Sequence, residues 1–242
     1  MSVAGAGASG VRVLRHGDAC VELRLDRPAQ RNAVTTDSMR QLRDHLIAIG
    51  DDRTVKVVVL TGEGDGFCSG ADLAEFSGDQ QPDPADTLAR VRLVISAMRG
   101  LLELEAVTIA AVHGPAIGAG WGLALGCDVC WAAEGAVFSM PEVAKGFRAP
   151  RVIVTRLGQV VGPVRAAELV LSGRSIDVDE AMAMGAVSRR CAGRDELHAA
   201  SIEFATQLAQ RPRAVLRGAV DPLRELAVPG AAPEIEYQWP ER

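Results

Sequence analysis

From Ala106 to Cys127 the chain runs for twenty-two residues without one Asp, Glu, Lys or Arg. A stretch this long and uncharged has to leave water, either into a membrane or into a protein core. "AVTIAAVHGPAIGAGWGLALGC" is a poor spanning helix, because His113, Gly114-Pro115 and further glycines at 118, 120 and 122 interrupt it. Each glycine costs about 1 kcal/mol relative to alanine inside a helix. The segment reads instead as a buried strand, "AVTIAAV", then a glycine-rich turn, then a helix beginning near Gly120. Backbone that tolerates so many glycines is backbone that something must approach closely.

Strand-length apolar runs alternate with helical periodicity around this segment. "VRVLRHGDACVELRLDRP" reads as two short strands about a His-Gly-Asp turn, and "VKVVVLTG" as a buried strand. Met39, Leu42, Leu46 and Ile49 recur at helical spacing after the starters Thr35 to Asp37, with Gly50 as a stop. Residues 77–86, "SGDQQPDPAD", read as a mobile surface loop before a helix from about Thr87 to Glu103. "DVCWAAEGAVFSMPE" reads as a strand pair turning at Glu-Gly. From Arg151 onward the pattern is helical, with starters at Gly162-Pro163 and Asp177 and a short strand near Val187. The predicted class is α/β, a parallel core followed by a helical C-terminal part and an extended tail, "VPGAAPEIEYQWPER".

At 242 residues and 48% apolar, the chain can bury such a core without metal or disulfide. Five cysteines are an odd number without disulfide-scaffold density, so reduced thiols are expected. A net charge of −5 weighs against nonspecific nucleic-acid binding. "MSVAGAGASG" has neither a basic nor a continuous apolar leader region and reads as a tail. A cytoplasmic protein with neither nucleic acid nor membrane as partner is the expectation.

Several segments carry candidate chemistry beside a plainer reading. "GFCSGAD" after the "VKVVVLTG" strand is either a tight turn or a loop that brings backbone N–H groups to a ligand. It also mimics a nucleophile elbow around Cys68, although "GEGD" separates it from its strand. Gly118, Gly120 and Gly122 give G-x-G-x-G, but Leu123 stands where a dinucleotide loop needs glycine. What remains is a helix start with free N–H groups, suited to a developing anion. Two such loops could aim one N–H each at a single oxygen. Cys127 and Cys130 form a lone C-x-x-C, read as buried thiols, and the scattered histidines suggest no metal. Arg27 and Arg31 flank a proline turn as surface arginines or as phosphate contacts. Glu142, after Pro141 among apolar neighbours, is either a helix-start carboxylate or an acid/base with a raised pKa.

Together, "RPAQRNAV", "VVVLTGEGDGFCSGADL", "HGPAIGAGWGLALGCD" and "FSMPEVAKG" resemble the crotonase superfamily, the enoyl-CoA hydratases and isomerases, over about residues 11 to 220. The resemblance implies a spiral of ββα turns over 11–190 with the acyl-CoA site, and a helical trimerisation region over 191–242 that ends in the short tail. A homotrimer, which in this family often pairs into a hexamer, is implied as well. So is an acyl-CoA thioester as substrate, with coenzyme A arriving as part of it and no separate cofactor.

Matching the motifs assigns the thioester oxygen to the N–H groups of Ala71, after Gly70, and Ala119, after Gly118. Asp72, Leu73 and Ala74 would continue the thioester end, and Arg27, Ala29 and Arg31 would border the nucleotide. Hydratases of this family carry two glutamates. Here the second matches Glu142, after Pro141, while the first position is Gly122, with Trp121 beside it as a filler of the space or as core. Ala149-Pro150 resembles the isomerase version of the following loop. One carboxylate suffices to move a double bond, so the resemblance implies a Δ3,Δ2-enoyl-CoA isomerase. A weak or atypical hydratase, another single-glutamate reaction and a non-catalytic acyl-CoA binder are the alternatives. A second departure is the ending "PEIEYQWPER", where relatives continue with a helix over the acyl pocket.

Overall fold

A computed structural model of the chain describes residues 10–76 and 84–225. Strands β1 (Val11–Arg15) and β2 (Cys20–Leu25) form the expected antiparallel pair. Helix α1 (Thr36–Asp51) starts at a capping box in which Thr35 and Ser38 satisfy each other's N–H groups, and it buries Met39, Leu42, Leu46 and Ile49. Then follow β3 (Val57–Gly62), α2 (Pro84–Glu103), β4 (Val107–Val112), β5 (Pro115–Ile117), α3 (Ala119–Leu125), β6 (Val129–Ala133) and β7 (Val137–Ser139). The last third holds α4 (Arg151–Val161), α5 (Pro163–Ser172), β8 (Ser175–Asp177), α6 (Val178–Ala183), β9 (Arg189–Cys191), α7 (Arg194–Ala209) and α8 (Arg213–Glu225).

Six strands make the main sheet in the order β1-β2-β3-β4-β6-β9, parallel from β2 onward. Every residue of β3 and β4 is buried, which is why both read as continuous apolar runs and not as alternating ones. Their two faces feed separate cores. Val58, Leu60, Ala110 and Val112 pack beneath α1, α2 and α3, while Val57, Val59, Ile109 and Ala111 pack with Leu197 and Ala205 of α7. The uncharged run from 106 onward thus supplies a central strand, a short strand and a buried helix. No helix among the described residues is long and apolar enough to cross a membrane.

The structure corrects the sequence reading in three places. β6 and β7 form on either side of the Glu134-Gly135 turn but do not pair with each other. β6 lies between β4 and β9, and β7 joins a second sheet in the order β5-β7-β8. With both edges of each strand engaged elsewhere, the expected hairpin has no free hydrogen-bonding edge. β8 interrupts a region read as helical, with Asp177 then capping α6 through Glu180 N–H at 2.8 Å. α2 begins at Pro84, inside the segment read as a loop; residues 77–83, like the tails 1–9 and 226–242, lie outside the described residues.

Polar contacts tie the C-terminal helices to this sheet. Glu22 of β2 is fully buried and accepts from Thr61, Arg24, His16 and, from α7, His198 at 3.1 Å. Burial alone would raise its pKa, but these hydrogen bonds outweigh burial and hold it at about 2. At the other end Asp128 accepts from the Thr108 N–H (2.8 Å) and hydroxyl (3.0 Å), and its two oxygens take the Arg224 guanidinium of α8. Arg224 also donates to the Leu104 and Ala106 carbonyls. Only 12% and 9% of the two side chains are exposed, so removing either partner strands a desolvated charge. Asp128→Ala is expected to destabilise the protein by about 3 to 5 kcal/mol, read as a lower urea midpoint at unchanged slope. A midpoint within error of the parent would show that α8 is not held there.

Candidate active site

Two glycine-bearing turns meet, one following β3 and the other leaving β5. Residues Cys68 to Ala71 run between β5 on one side and Val34 on the other. Cys68 donates its N–H to the Pro115 carbonyl at 2.9 Å, and its carbonyl accepts from Ile117 N–H at 3.0 Å. On the opposite side Val34 N–H donates to Gly70 O (2.8 Å) and Asp72 N–H to Val34 O (2.9 Å). These two bonds come from the residues flanking Ala71, so the Ala71 N–H itself faces away from Val34, toward β5 and α3. Gly70 has φ +95°, and a side chain there would lie 2.8 Å from the Ile117 carbonyl oxygen. Only glycine permits that approach.

The second turn leaves β5 through Gly118, whose N–H donates to Ser139 O at 2.8 Å and whose φ of +52° precedes α3. Ala119 is the first residue of α3, so its N–H has no partner within the helix. Neither the Ala71 nor the Ala119 N–H has a backbone acceptor elsewhere among the described residues. A Cβ on Gly120 would collide with the Cys68 carbonyl, so α3 rests directly on the first turn.

Glu142 completes the arrangement. It stands between Pro141 and a short 3-10 turn, Val143–Lys145, with its carboxylate against the Cα of Gly118, where a Cβ would collide with Oε1. Its Oε2 is buried without a hydrogen-bond partner. Burial raises its pKa above the ordinary glutamate value; a bond from its own N–H and the charge of Lys145 oppose this less strongly. Ala71, Ala119 and Glu142 all line one cavity of about 200 Å³, which Val91 and Val94 of α2 and Ile153 of α4 close with apolar surface. A cavity with free N–H donors and one unpaired, proton-hungry carboxyl can take a proton from carbon and hold the resulting oxyanion.

Of the residues singled out from sequence, Gly70, Ala71, Gly118, Ala119, Pro141, Glu142 and Pro150 line this cavity. Asp72 and Ala74 follow Ala71 and are not among the described lining residues, and Ala29 and Arg31 are exposed on the Pro28–Gln30 turn beside them. Arg27 is held by Asp72 at 2.8 Å and by the Ala33 carbonyl. Trp121 is not at the cavity; it is buried in the core against Phe138, ring centroids 5.6 Å apart. The space beside Gly122 belongs to Ile153 instead, whose Cδ1 would lie 2.6 Å from a Cβ at that position. Ile153 was missed because, in sequence, it is one apolar residue in a helical repeat, and only the docking of α4 on α3 brings it there.

The rival chemistries lose their geometry. Cys68 is fully buried, and burial pushes its thiol up to about 12, so it is no nucleophile. His113 Nε2 donates to the Gly64 carbonyl at 3.0 Å, and burial lowers its pKa. Cys127 is buried as expected, with its thiol near the Leu123 carbonyl, whereas Cys130 is half-buried. Among the described residues no group of His, Cys, Asp and Glu could hold a metal ion.

The comparisons with known proteins point the same way. The enoyl-CoA hydratase/isomerase family model matches residues 15–231. A probable enoyl-CoA hydratase of Mycobacterium leprae is 39% identical over 173 residues, which cover 69% of this chain and 58% of that protein. The 2,3-dehydroadipyl-CoA hydratase of Escherichia coli is 37% identical over 203 residues, covering 84% of this chain and 77% of that one. Among solved structures, an enoyl-CoA hydratase of Bacillus anthracis superposes with a TM-score of 0.83 at 29% identity, covering 89% of this chain and 82% of that one. A monofunctional enoyl-CoA isomerase of M. smegmatis superposes at 0.75 with 30% identity, covering 92% and 95%. The matched region takes in both glycine turns, Glu142 and the helices through α8, and the chain belongs to the enoyl-CoA hydratase/isomerase family.

Proposed function

We propose that this protein moves a double bond in an acyl-CoA thioester, converting a 3-enoyl-CoA into its 2-enoyl isomer, with Glu142 as the sole acid/base. The contact between Gly122 and Ile153 carries this reading. Hydration calls for a water molecule held by two carboxylates, and Ile153 fills the place of the first, so Glu142 is the one carboxylate among the described lining residues.

In this reading the thioester oxygen lies between the Ala71 and Ala119 N–H groups. The Glu142 carboxylate takes a proton from C2, and the C–H electron pair moves into the thioester to form an enolate. Collapse of the enolate forms the C2=C3 bond while the former C3=C4 pair takes the proton back from Glu142 at C4. No water is consumed, and the burial that leaves Oε2 unpaired favours the proton's transfer to Glu142. Each backbone donor would contribute about 3 to 4 kcal/mol to stabilising the oxyanion. Exposed Val164 and Leu171, two turns apart on α5, support self-association of the kind the resemblance implies.

A second reading has its own support, since the curated relatives named above are hydratases. Incubating the protein separately with 3-enoyl-CoA and 2-enoyl-CoA decides between them. The expected outcome is isomerisation without appreciable hydration, lowered at least about 100-fold in Glu142→Gln, the scale of a general acid–base contribution. Hydration of 2-enoyl-CoA at rates matching isomerisation would overturn the isomerase reading, and undiminished activity in Glu142→Gln would remove Glu142 from the mechanism.

The pH dependence follows from the direction of the Glu142 shift. Proton abstraction needs the carboxylate, so kcat/KM should fall as pH drops through a pKa above the ordinary glutamate value. Lys145→Met removes a positive charge that favours ionisation, and should move this acid limb to still higher pH. A limb at or below the ordinary glutamate value would show that burial does not set the basicity of Glu142.

A further inference from the structure

The wall that carries Glu142 also carries two cations. Lys145 and Arg148 both line the cavity, whose remaining described side chains, Ser69 and Glu142 apart, are apolar. Lys145 acts on Glu142 and so has a charged neighbour. Arg148 forms no salt bridge or hydrogen bond among the described residues, unlike Arg24, Arg27, Arg174 and Arg224, each of which is engaged by a carboxylate. A guanidinium without a carboxylate partner, on a wall whose other side chains beyond Ser69, Glu142 and Lys145 are apolar, is poorly matched to a plain alkyl chain and well matched to a second carboxylate.

Its position favours the acyl end of a ligand over coenzyme A. Arg148 lies between Phe147 and Pro150 on the segment running from Glu142 into α4, and shares the cavity with Ile153. The arginines near the Ala71 to Ala74 stretch, Arg27 and Arg31, stand on the turn beyond the other wall and do not line the cavity. We infer that Arg148 reads an anionic group at the far end of the acyl chain, so that the preferred substrates are ω-carboxyacyl-CoA thioesters. This rests on the acyl-CoA reading above and adds to it the class of acyl group.

The test uses binding, so that it does not depend on turnover. Affinities are measured by calorimetry for three length-matched pairs, butanoyl- and succinyl-CoA, hexanoyl- and adipoyl-CoA, octanoyl- and suberoyl-CoA, and for free coenzyme A. The parent protein should bind the carboxylated member of at least one pair about 10-fold more tightly, the scale of one charge-assisted bidentate contact. Arg148→Met should abolish that preference while leaving the plain acyl-CoA and free coenzyme A unchanged, which also reports that the variant is folded. Arg148→Lys should keep part of it. Equal affinities within every pair would overturn the inference, as would a parallel loss of free coenzyme A binding in Arg148→Met, which would assign Arg148 to the phosphates. Isomerisation of plain 3-hexenoyl-CoA that persists beside equal affinities leaves the isomerase reading standing and sinks this one alone. Failure of every acyl-CoA to bind would overturn both.

Discussion

The site depends on two turns packed backbone to backbone. Gly70 sits against the Ile117 carbonyl, and Gly120 sits on the carbonyl of Cys68, so neither position leaves room for a methyl group. That contact fixes where the Ala71 and Ala119 N–H groups are and leaves both without backbone acceptors among the described residues. A side chain could not do this work as rigidly, because backbone donors lose no rotamer freedom when a ligand arrives. The stability lost at the glycines is offset by the strands that feed the turns, β3 and β4, every residue of which is buried.

Burial then sets the chemistry of Glu142. A carboxylate facing water would be a weak base at neutral pH; one with a buried, unpartnered oxygen binds its proton more firmly. The same desolvation acts on Cys68 and pushes it toward the inert thiol form. One physical effect thus raises the pKa of both the carboxyl that lines the cavity and the buried Cys68 thiol. Of the two cations on this wall only Lys145 opposes the shift, with its charge on the exposed side.

The structure also separates residues that share a motif. In "GWGLALG", Trp121 lies two residues from Ala119, yet it belongs to the core side of α3, against Phe138. A helix turns about 100° per residue, so neighbours of a cavity-lining residue point elsewhere. The absence of a carboxylate at Gly122 was plain in the sequence. What replaces it was not, because Ile153 comes from α4, thirty-one positions further along.

By itself the sequence determined the class of fold and the chemistry-bearing turns. Continuous apolar runs such as "VVVLTG" and "VTIAAV" can only be strands buried on both faces, and glycines at positive φ or under a neighbouring carbonyl admit no other residue. Those are local constraints, written in one segment at a time. Strand partners, the filler beside Gly122 and the lining of the cavity were decided only by tertiary structure. β6 and β7 look like a hairpin until β4, β9, β5 and β8 occupy their edges, and Ile153 and Arg148 look like ordinary helix and loop residues until α4 docks against α3. Pairing and docking depend on which distant surfaces compete for the same edge or groove, and that competition has no signature within a single segment.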